Sequence, residues 1–335
     1  MSDVRSVAAA PAVTTSKVRR QRLTIRGVAL GDSLFRGGTF LIVLVVLAII
    51  AGVFWVVITN SLLSIQANGW HFFTNNAFDP DHNTYGVGPA IFGTIVTSVF
   101  AMLFAVPIGI GAAIFLVEVA PRRLRPSLAF FTDLLSTVPS IIFGLWGFLV
   151  MVPWLQATGE PWLILHFGFL PFFQGPPYGL SLLAAGMILT IMILPLVIAI
   201  SREVMLIVPN EQREALLALG ATRWEVIRYA ILPFARVGIV GGAILALGRA
   251  LGETVAVALV VGNQANGNSP NLLATGYTLT SVIVNQFNEA TPGVFRSAVI
   301  EAGLLVISLT LITNIFARLL VARLSRQHRV GGLTV

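Results

Sequence analysis

Followed along its apolar positions, the chain is a series of long hydrophobic runs separated by shorter polar stretches. Residues 40–58 form the first, with 19 residues and no charge. Further runs lie at about 89–117, 128–152, 178–201, 236–262 and 297–320. Each approaches or exceeds the roughly 20 residues a helix needs to cross the hydrocarbon core. Residues 161–173 are also apolar, but only 13 long between proline and glycine, and read as a short interfacial or re-entrant helix. The first run is too long for a signal-peptide core and no small-x-small cleavage site follows it, so it is expected to persist as a span. The pattern predicts an all-α, six-span fold.

Composition gives the same answer. Charged residues are 10% of the 335, against about a quarter in soluble domains, hydrophobic residues are 56%, and mean hydropathy is +0.88. A soluble core of this size would leave too much of that apolar surface exposed, so the solvent is lipid and the protein is polytopic. Cysteine is absent, which removes disulfides, thiolate metal sites and a cysteine nucleophile. The four histidines His71, His82, His166 and His328 are scattered, and no metal ligand set is expected.

The net charge of +7 would raise nucleic-acid binding in a soluble protein, but here it follows the membrane rule. Seven Lys/Arg precede the first span; Arg122, Arg123 and Arg125 follow the second; five lie in 202–236; Arg318, Arg323, Arg326 and Arg329 close the chain. The alternate loops 60–88, 153–177 and 263–295 carry none. Both termini are therefore expected in the cytoplasm, with 1–36 a mostly disordered basic arm, 37–325 the six-span domain and 326–335 a cytoplasmic tail. No nucleic-acid partner is expected.

The 202–236 segment does not read as a linker. Leu216, Leu217, Leu219, Val226, Ile227, Ile231 and Leu232 recur at helical spacing between Glu and Arg. Pro209 suits a helix start, Gly220 a left-handed end, and Thr222 a new cap, so two short amphipathic helices around a bend are predicted. On periodicity alone this is either a hairpin resting on headgroups or a knob for a partner's groove. Glu214 and Ala215, Gly220 six positions after the glutamate, and Leu232-Pro233 twelve and thirteen after the glycine resemble the EAA loop of bacterial ABC importer permeases. Leu216 replaces the usual second alanine, and Ala230 stands where isoleucine is favoured. In that family the loop is the coupling helix seated in a cleft of a cytoplasmic ATPase. The resemblance implies coupling roles for Glu214, Ala215, Gly220, Ala221, Thr222, Arg223, Leu232 and Pro233. The chain has no G-x-x-x-x-G-K-[ST] loop, so it is expected to be non-catalytic and free of cofactors, with ATP used by partner subunits.

Within the run 236–262, Arg249 and Glu253 fall near the middle. Four residues apart, they are expected to share a helix face and touch. Each such charge costs about 2.5–3.5 kcal/mol on insertion scales, and Arg249 lies roughly 20 Å from the helix start, too deep to snorkel. The pair is either an internal lock between helices or the lining of a polar pathway. A guanidinium fork matches a tetrahedral oxyanion, and Glu253 can accept the proton-bearing oxygen of phosphate, which sulfate lacks at neutral pH.

The run Gly248-Arg249-Ala250-Leu251-Gly252-Glu253-Thr254 resembles the signature of the phosphate importer permeases, where an Arg and a Glu of this span are implicated in translocation. Tyr85-Gly86, Gly93-Thr94 with Thr97-Ser98, Pro107 with Glu118, and the stretch from Ser136 through Ser140 to Gly147 are similar to the C subunit of that system rather than its A partner. The likeness covers about 35–325 and implies a type I ABC importer permease fold. It also implies a homologous A-type permease, two cytoplasmic ATPase subunits and an extracytoplasmic phosphate-binding protein as partners. Thr137, Ser140 and Thr254 join the candidate pathway: Pro139 breaks span three and frees carbonyl groups beside Thr137 and Ser140, although a kink with Ser/Thr back-bonding explains the same residues. Asp133 and Glu118 are expected to pair with Arg122, Arg123 or Arg125, and Arg296 with Glu301. The 60–88 loop and 262–270 are candidates for docking the binding protein. An ABC permease for molybdate or sulfate is the nearest rival; a secondary anion transporter would show paired repeats with broken helices, which the sequence does not.

Overall fold

The computed structural model describes residues 26–264 and 271–329. Residues 1–25 of the expected arm, 265–270 of the outer loop and 330–335 of the tail lie outside the described residues. The chain divides into two compact units, 1–54 and 55–335. In the first, the described part is one helix from Arg26, apolar on all its faces over residues 40–54. It begins inside the stretch expected as an arm, and residues 26–40 hold no proline.

In chain order the helices are α1 Arg26–Asn68, α2 His71–Thr74, α3 Gly88–Ile114, α4 Arg125–Thr137, α5 Ser140–Trp146, α6 Val152–Trp154, α7 Glu160–Phe167, α8 Leu182–Leu206, α9 Asn210–Ala218, α10 Arg223–Val226, α11 Leu232–Gly252, α12 Val255–Val260, α13 Leu279–Gln286 and α14 Val294–Arg329. Among the described residues, six stretches are long and apolar enough to cross a membrane: Leu34–Asn68, Gly88–Val119, Ser140–Phe167, Leu182–Leu206, Arg223–Gly252 and Val294–Leu319. The count agrees with the sequence. The third span does not.

Span three was expected at 128–152, with 161–173 apart from it. Instead the chain breaks at Val138–Pro139, and one continuous helix runs from Ser140 to Phe167. Pro153 and Pro161 do not stop it, because each lies two residues after a wide π turn, Gly147–Met151 and Leu155–Gly159. Proline has no N–H for the carbonyl one turn back and its ring crowds that oxygen; a turn closed five residues apart absorbs both faults. Pro233 follows the same rule behind Ile227–Ile231. As a result, α10 and α11 join into one helix, and the second amphipathic helix of the coupling segment is the start of span five.

Helix α8 is the hub of the second unit. Its Leu183, Ile188, Leu189, Met192, Ile193 and Val197 are buried, and small residues bring its neighbours close. A Cβ on Gly109 would come within 2.7 Å of Val197 in α8, and one on Gly242 of α11 within 2.7 Å of Ile200. In lipid such close packing, rather than hydrophobic exclusion, supplies helix association.

Buried polar groups pin the ends. Glu160 is 0% exposed and accepts hydrogen bonds from the Gly179 N–H at 2.8 Å and the Ser181 hydroxyl at 3.0 Å, while Ser181 caps α8 through the Ala184 N–H. Ser297 of α14 inserts into the ladder of α1: its hydroxyl donates to the Asn60 carbonyl at 2.6 Å and accepts from the Ser64 N–H at 2.9 Å. Such an insertion lets a helix bend without leaving either group unpaired.

The expected ion pairs are differently made. Glu118 meets Arg213 at 3.4 Å and Asp133 meets Arg202 at 3.4 Å. Arg125 is instead consumed by carbonyls, donating to Ala120 at 2.8 Å and Glu118 at 3.3 Å. Arg296 lies over the Phe287 ring, 5.9 Å from its centre, with no ion pair to Glu301. Five residues apart on one helix, the two side chains point to different sides.

On the loop after α1, Phe78–Asp79 and Thr84–Tyr85 form a small antiparallel hairpin. Asp79 meets the His82 imidazole at 2.7 Å, a hydrogen bond that holds the carboxyl below its usual range and raises the histidine above its own. The histidine contribution is present below about pH 6.5 and is lost as pH rises through the raised value; the carboxylate contribution is present above about pH 4 and is lost as pH falls through the lowered one. The contact is therefore strongest between those limits. His82→Ala is expected to flatten the pH dependence of hydrogen exchange in the hairpin between pH 4 and 8, and an unchanged profile would show the pair to be inert.

Candidate functional site

Span five ends in its middle. Helix α11 stops at Gly252, Glu253 is extended with φ −70° and ψ 132°, and α12 begins after Thr254. Glycine is a poor helix former, and the two polar residues after it take up backbone groups themselves. The Glu253 Oε1 accepts the Ala256 N–H at 3.2 Å, and the Thr254 hydroxyl donates to the Gly252 carbonyl at 3.1 Å. From another helix, the Thr280 hydroxyl donates to the Glu253 carbonyl at 2.7 Å.

The break corrects the expected Arg249–Glu253 pair. With the helix ended between them, they no longer share a face, and no ion pair joins them. Arg249 sits in the last turn of α11, where the helix dipole favours a cation. Its side chain is exposed, without a hydrogen bond or ion pair among the described residues.

The second break comes to the same level. A Cβ on Gly144 of α5 would stand 2.7 Å from Ala256 Cα, and one on Gly147 3.2 Å from Val260, so α5 and α12 run side by side in the same direction. One turn earlier on each lie Ser140 and the Gly252–Glu253 junction. Ser140 is half-buried and its hydroxyl has no hydrogen bond among the described residues. Thr137, across the break, is exposed and spends its hydroxyl proton on the Leu134 carbonyl at 2.7 Å. Ser140, Glu253 and Thr254 are thus brought together one turn beyond Arg249, while Thr137 is back-bonded.

Two features escaped the sequence reading. The start of α13 is fastened to the break by Thr280 and to α3 by Thr94, whose hydroxyl accepts the Leu279 N–H at 2.9 Å. Gly93 lets this happen, since a Cβ there would collide with the Tyr277 carbonyl. The Thr278–Ser281 capping box was the available local signal. Asn314 of α14 is the other, half-buried and 3.5 Å from where a Cβ on Gly248 would be. A single Asn in an apolar helix gives its position no local mark.

At the opposite end of α11, α9 ends at Gly220 in a left-handed conformation, φ +85°. Thr222 and Glu225 then form a reciprocal cap, Glu225 accepting the Thr222 N–H at 2.7 Å and Thr222 accepting the Glu225 N–H at 3.3 Å. Val226, Ile227, Ala230 and Ile231 pack on Ala113, Val117, Met205 and Val208. Arg213 ties α9 to the body through the Met205 carbonyl at 2.9 Å. Glu214, Ala215, Leu217, Leu219, Thr222, Arg223 and Trp224 remain exposed, Leu219 at 83%. Leu232 and Pro233 are half-buried within the continuous helix.

Residues 105–326 match the family described as binding-protein-dependent transport system inner membrane component. The "Phosphate transport system permease protein PstC" of Mesorhizobium japonicum is 40% identical over 323 residues, 95% of this chain and 97% of that one. The Xylella fastidiosa protein of the same name (strain 9a5c) is 45% identical over 269 residues, 79% of this chain and 82% of its own. Among solved structures, a bacterial alginate ABC transporter chain superposes with TM-score 0.57 at 15% identity over 85% of this chain and 94% of its own. A chain of the MetNI methionine ABC transporter superposes with TM-score 0.53 at 18% identity, over 71% and 95%. The fold is the all-α, six-span fold of type I ABC importer permeases. With the match through residues 105–326 and 40% identity across 95% of its length, the chain belongs to the family of binding-protein-dependent transport system inner membrane components.

Proposed function

We propose that this chain is a non-catalytic permease subunit of an ATP-driven phosphate importer. The relatives' naming supports the substrate class. The observation that carries the site is Arg249, a guanidinium without a partner among the described residues, one turn from the level where two spans break. Phosphate passes along a path lined by Arg249, Ser140, Glu253 and Thr254, with Thr137 at its edge, between this subunit and a homologous A-type permease. A lone arginine in a membrane helix needs either water or an anion, and a fork of donors suits a tetrahedral oxyanion.

Two ATPase subunits drive alternating access through residues 210–233. The exposed Leu217, Leu219 and Trp224 are the anchors, with Glu214, Ala215, Thr222 and Arg223 around them and Gly220-Ala221 making the bend. Leu232 and Pro233 act from beneath, holding that knob to the start of span five. A binding protein delivers phosphate on the other side. The membrane domain of this reading is 37–325, and the alternation of basic segments supports a cytoplasmic position for both termini and the coupling segment.

The test is radiolabelled phosphate uptake in cells lacking their own high-affinity system, with the operon partners supplied. Uptake resistant to excess sulfate and molybdate is expected. Sulfate- or molybdate-sensitive uptake, or none from a fully assembled complex, would overturn the substrate.

A further inference from the structure

A second cationic site lies far from Arg249. A cavity of about 420 Å³ opens where the end of span two, the turn before α4 and the coupling segment meet. Arg122, Arg125, Arg213 and Arg223 line it against one carboxylate, Glu118, a net formal charge of +3. Arg125 and Arg213 are committed, the first to two carbonyls, the second to the Met205 carbonyl and to Glu118. Arg122 and Arg223 are exposed, and neither has a hydrogen bond or ion pair among the described residues. One lies on the turn before α4 and the other on the first turn of α10.

Topology does not require this. The positive-inside rule needs arginines on one side of the membrane, and Arg123 serves it without lining the cavity. Arg122 and Arg223 line one concavity in which the local carboxylate is already engaged, a local excess of positive charge that favours an anion. Two guanidinium forks match the oxygens of a phosphate group, and the volume is that of a small-ligand site. Along the continuous helix from Arg223 to Arg249 the separation is on the order of 40 Å, so this is no part of the pathway.

We propose that this cavity binds a phosphate group, presented by an anionic phospholipid or as free phosphate, and that its occupant bridges the membrane body to the coupling segment. Arg122 and Arg223 hold it, while Arg125 and Arg213 keep the walls in place.

The test uses the complete purified transporter carrying Arg249→Gln, so that anion binding in the pathway is not read by mistake. Native mass spectrometry with phosphatidylglycerol or phosphatidylcholine forms one arm, and thermal stability in lipid-free detergent over a titration of inorganic phosphate forms the other. Retention of phosphatidylglycerol, at least about tenfold weaker in R122A/R223A and unchanged in R123A, identifies a lipid headgroup. A rise in Tm with phosphate, absent from R122A/R223A and kept in R123A, identifies the free ion. Phosphate binding that survives R122A/R223A at equal strength would belong to the pathway and count against Arg249 instead. The proposal falls if neither ligand separates R122A/R223A from its parent. It falls equally if that variant loses the ATPase subunits while ligand binding is unchanged, since the arginines then face acidic side chains.

Discussion

Exchanging Arg249 for glutamine is expected to abolish phosphate uptake, by more than about a hundredfold, while leaving the transporter assembled. The guanidinium makes no bond within the described chain, so its removal leaves nothing unpaired and costs only the helix-end charge effect, about 0.3–1 kcal/mol. What is lost is the fork offered to a passing anion. Two charge-assisted hydrogen bonds at about 1.5–3 kcal/mol each amount to between two and four decades in rate or affinity. Arg249→Lys keeps the charge but not the flat geometry, and is expected to retain a few per cent of uptake. Glu253→Gln keeps an oxygen for the Ala256 N–H and so preserves the break, while removing the acceptor for a proton-bearing oxygen. Loss of discrimination between phosphate and sulfate is its expected signature. Near-normal uptake by Arg249→Gln, at equal membrane abundance, would make the arginine a helix-end counter-charge and remove it from the pathway.

Where the signals are local, the sequence reading and the folded chain agree. Gly220, Thr222 and Pro209 each do near themselves what their chemistry dictates, and the bend between α9 and α10 could be read from them. The count of spans was legible because hydrocarbon thickness fixes a minimum apolar length. The limits of span three were not: an apolar window is blind to a two-residue break at Val138–Pro139, and prolines at 153 and 161 look like stops until the wide turns before them are seen. The Arg249–Glu253 pair failed for a further reason. The helix end between them is secured by Thr280, a hydroxyl from the far side of an intervening loop, which no periodicity near residue 250 foretells. Ser140 and Thr254 were singled out by composition and resemblance, but only the close approach of α5 to α12 puts them at one depth.

That close approach carries the second large effect. Gly144→Ala is expected to reduce uptake by at least about tenfold and to destabilise the subunit by about 1–3 kcal/mol. The added methyl would lie 2.7 Å from Ala256 Cα, 2.9 Å from Leu259 Cδ1 and 3.2 Å from the Ala256 carbonyl oxygen. Two of those atoms are backbone and cannot rotate away, so α12 must shift bodily from α5. Its first turn begins directly after Glu253 and Thr254, and the Glu253 carbonyl is held by Thr280; displacing α12 therefore misplaces the whole junction. An error of about 1 Å in a positioned site is enough to cost two decades in rate. Gly111, in the same membrane-crossing set, has no atom within 4 Å of a built Cβ, and Gly111→Ala should be neutral or slightly stabilising because alanine is the better helix former. Uptake and thermal stability of the two variants, measured side by side, separate a general penalty for filling glycines from the specific contact. Should Gly144→Ala transport within about twofold of wild type, α5 and α12 do not move as one piece, and the two helix breaks act independently rather than as a single site.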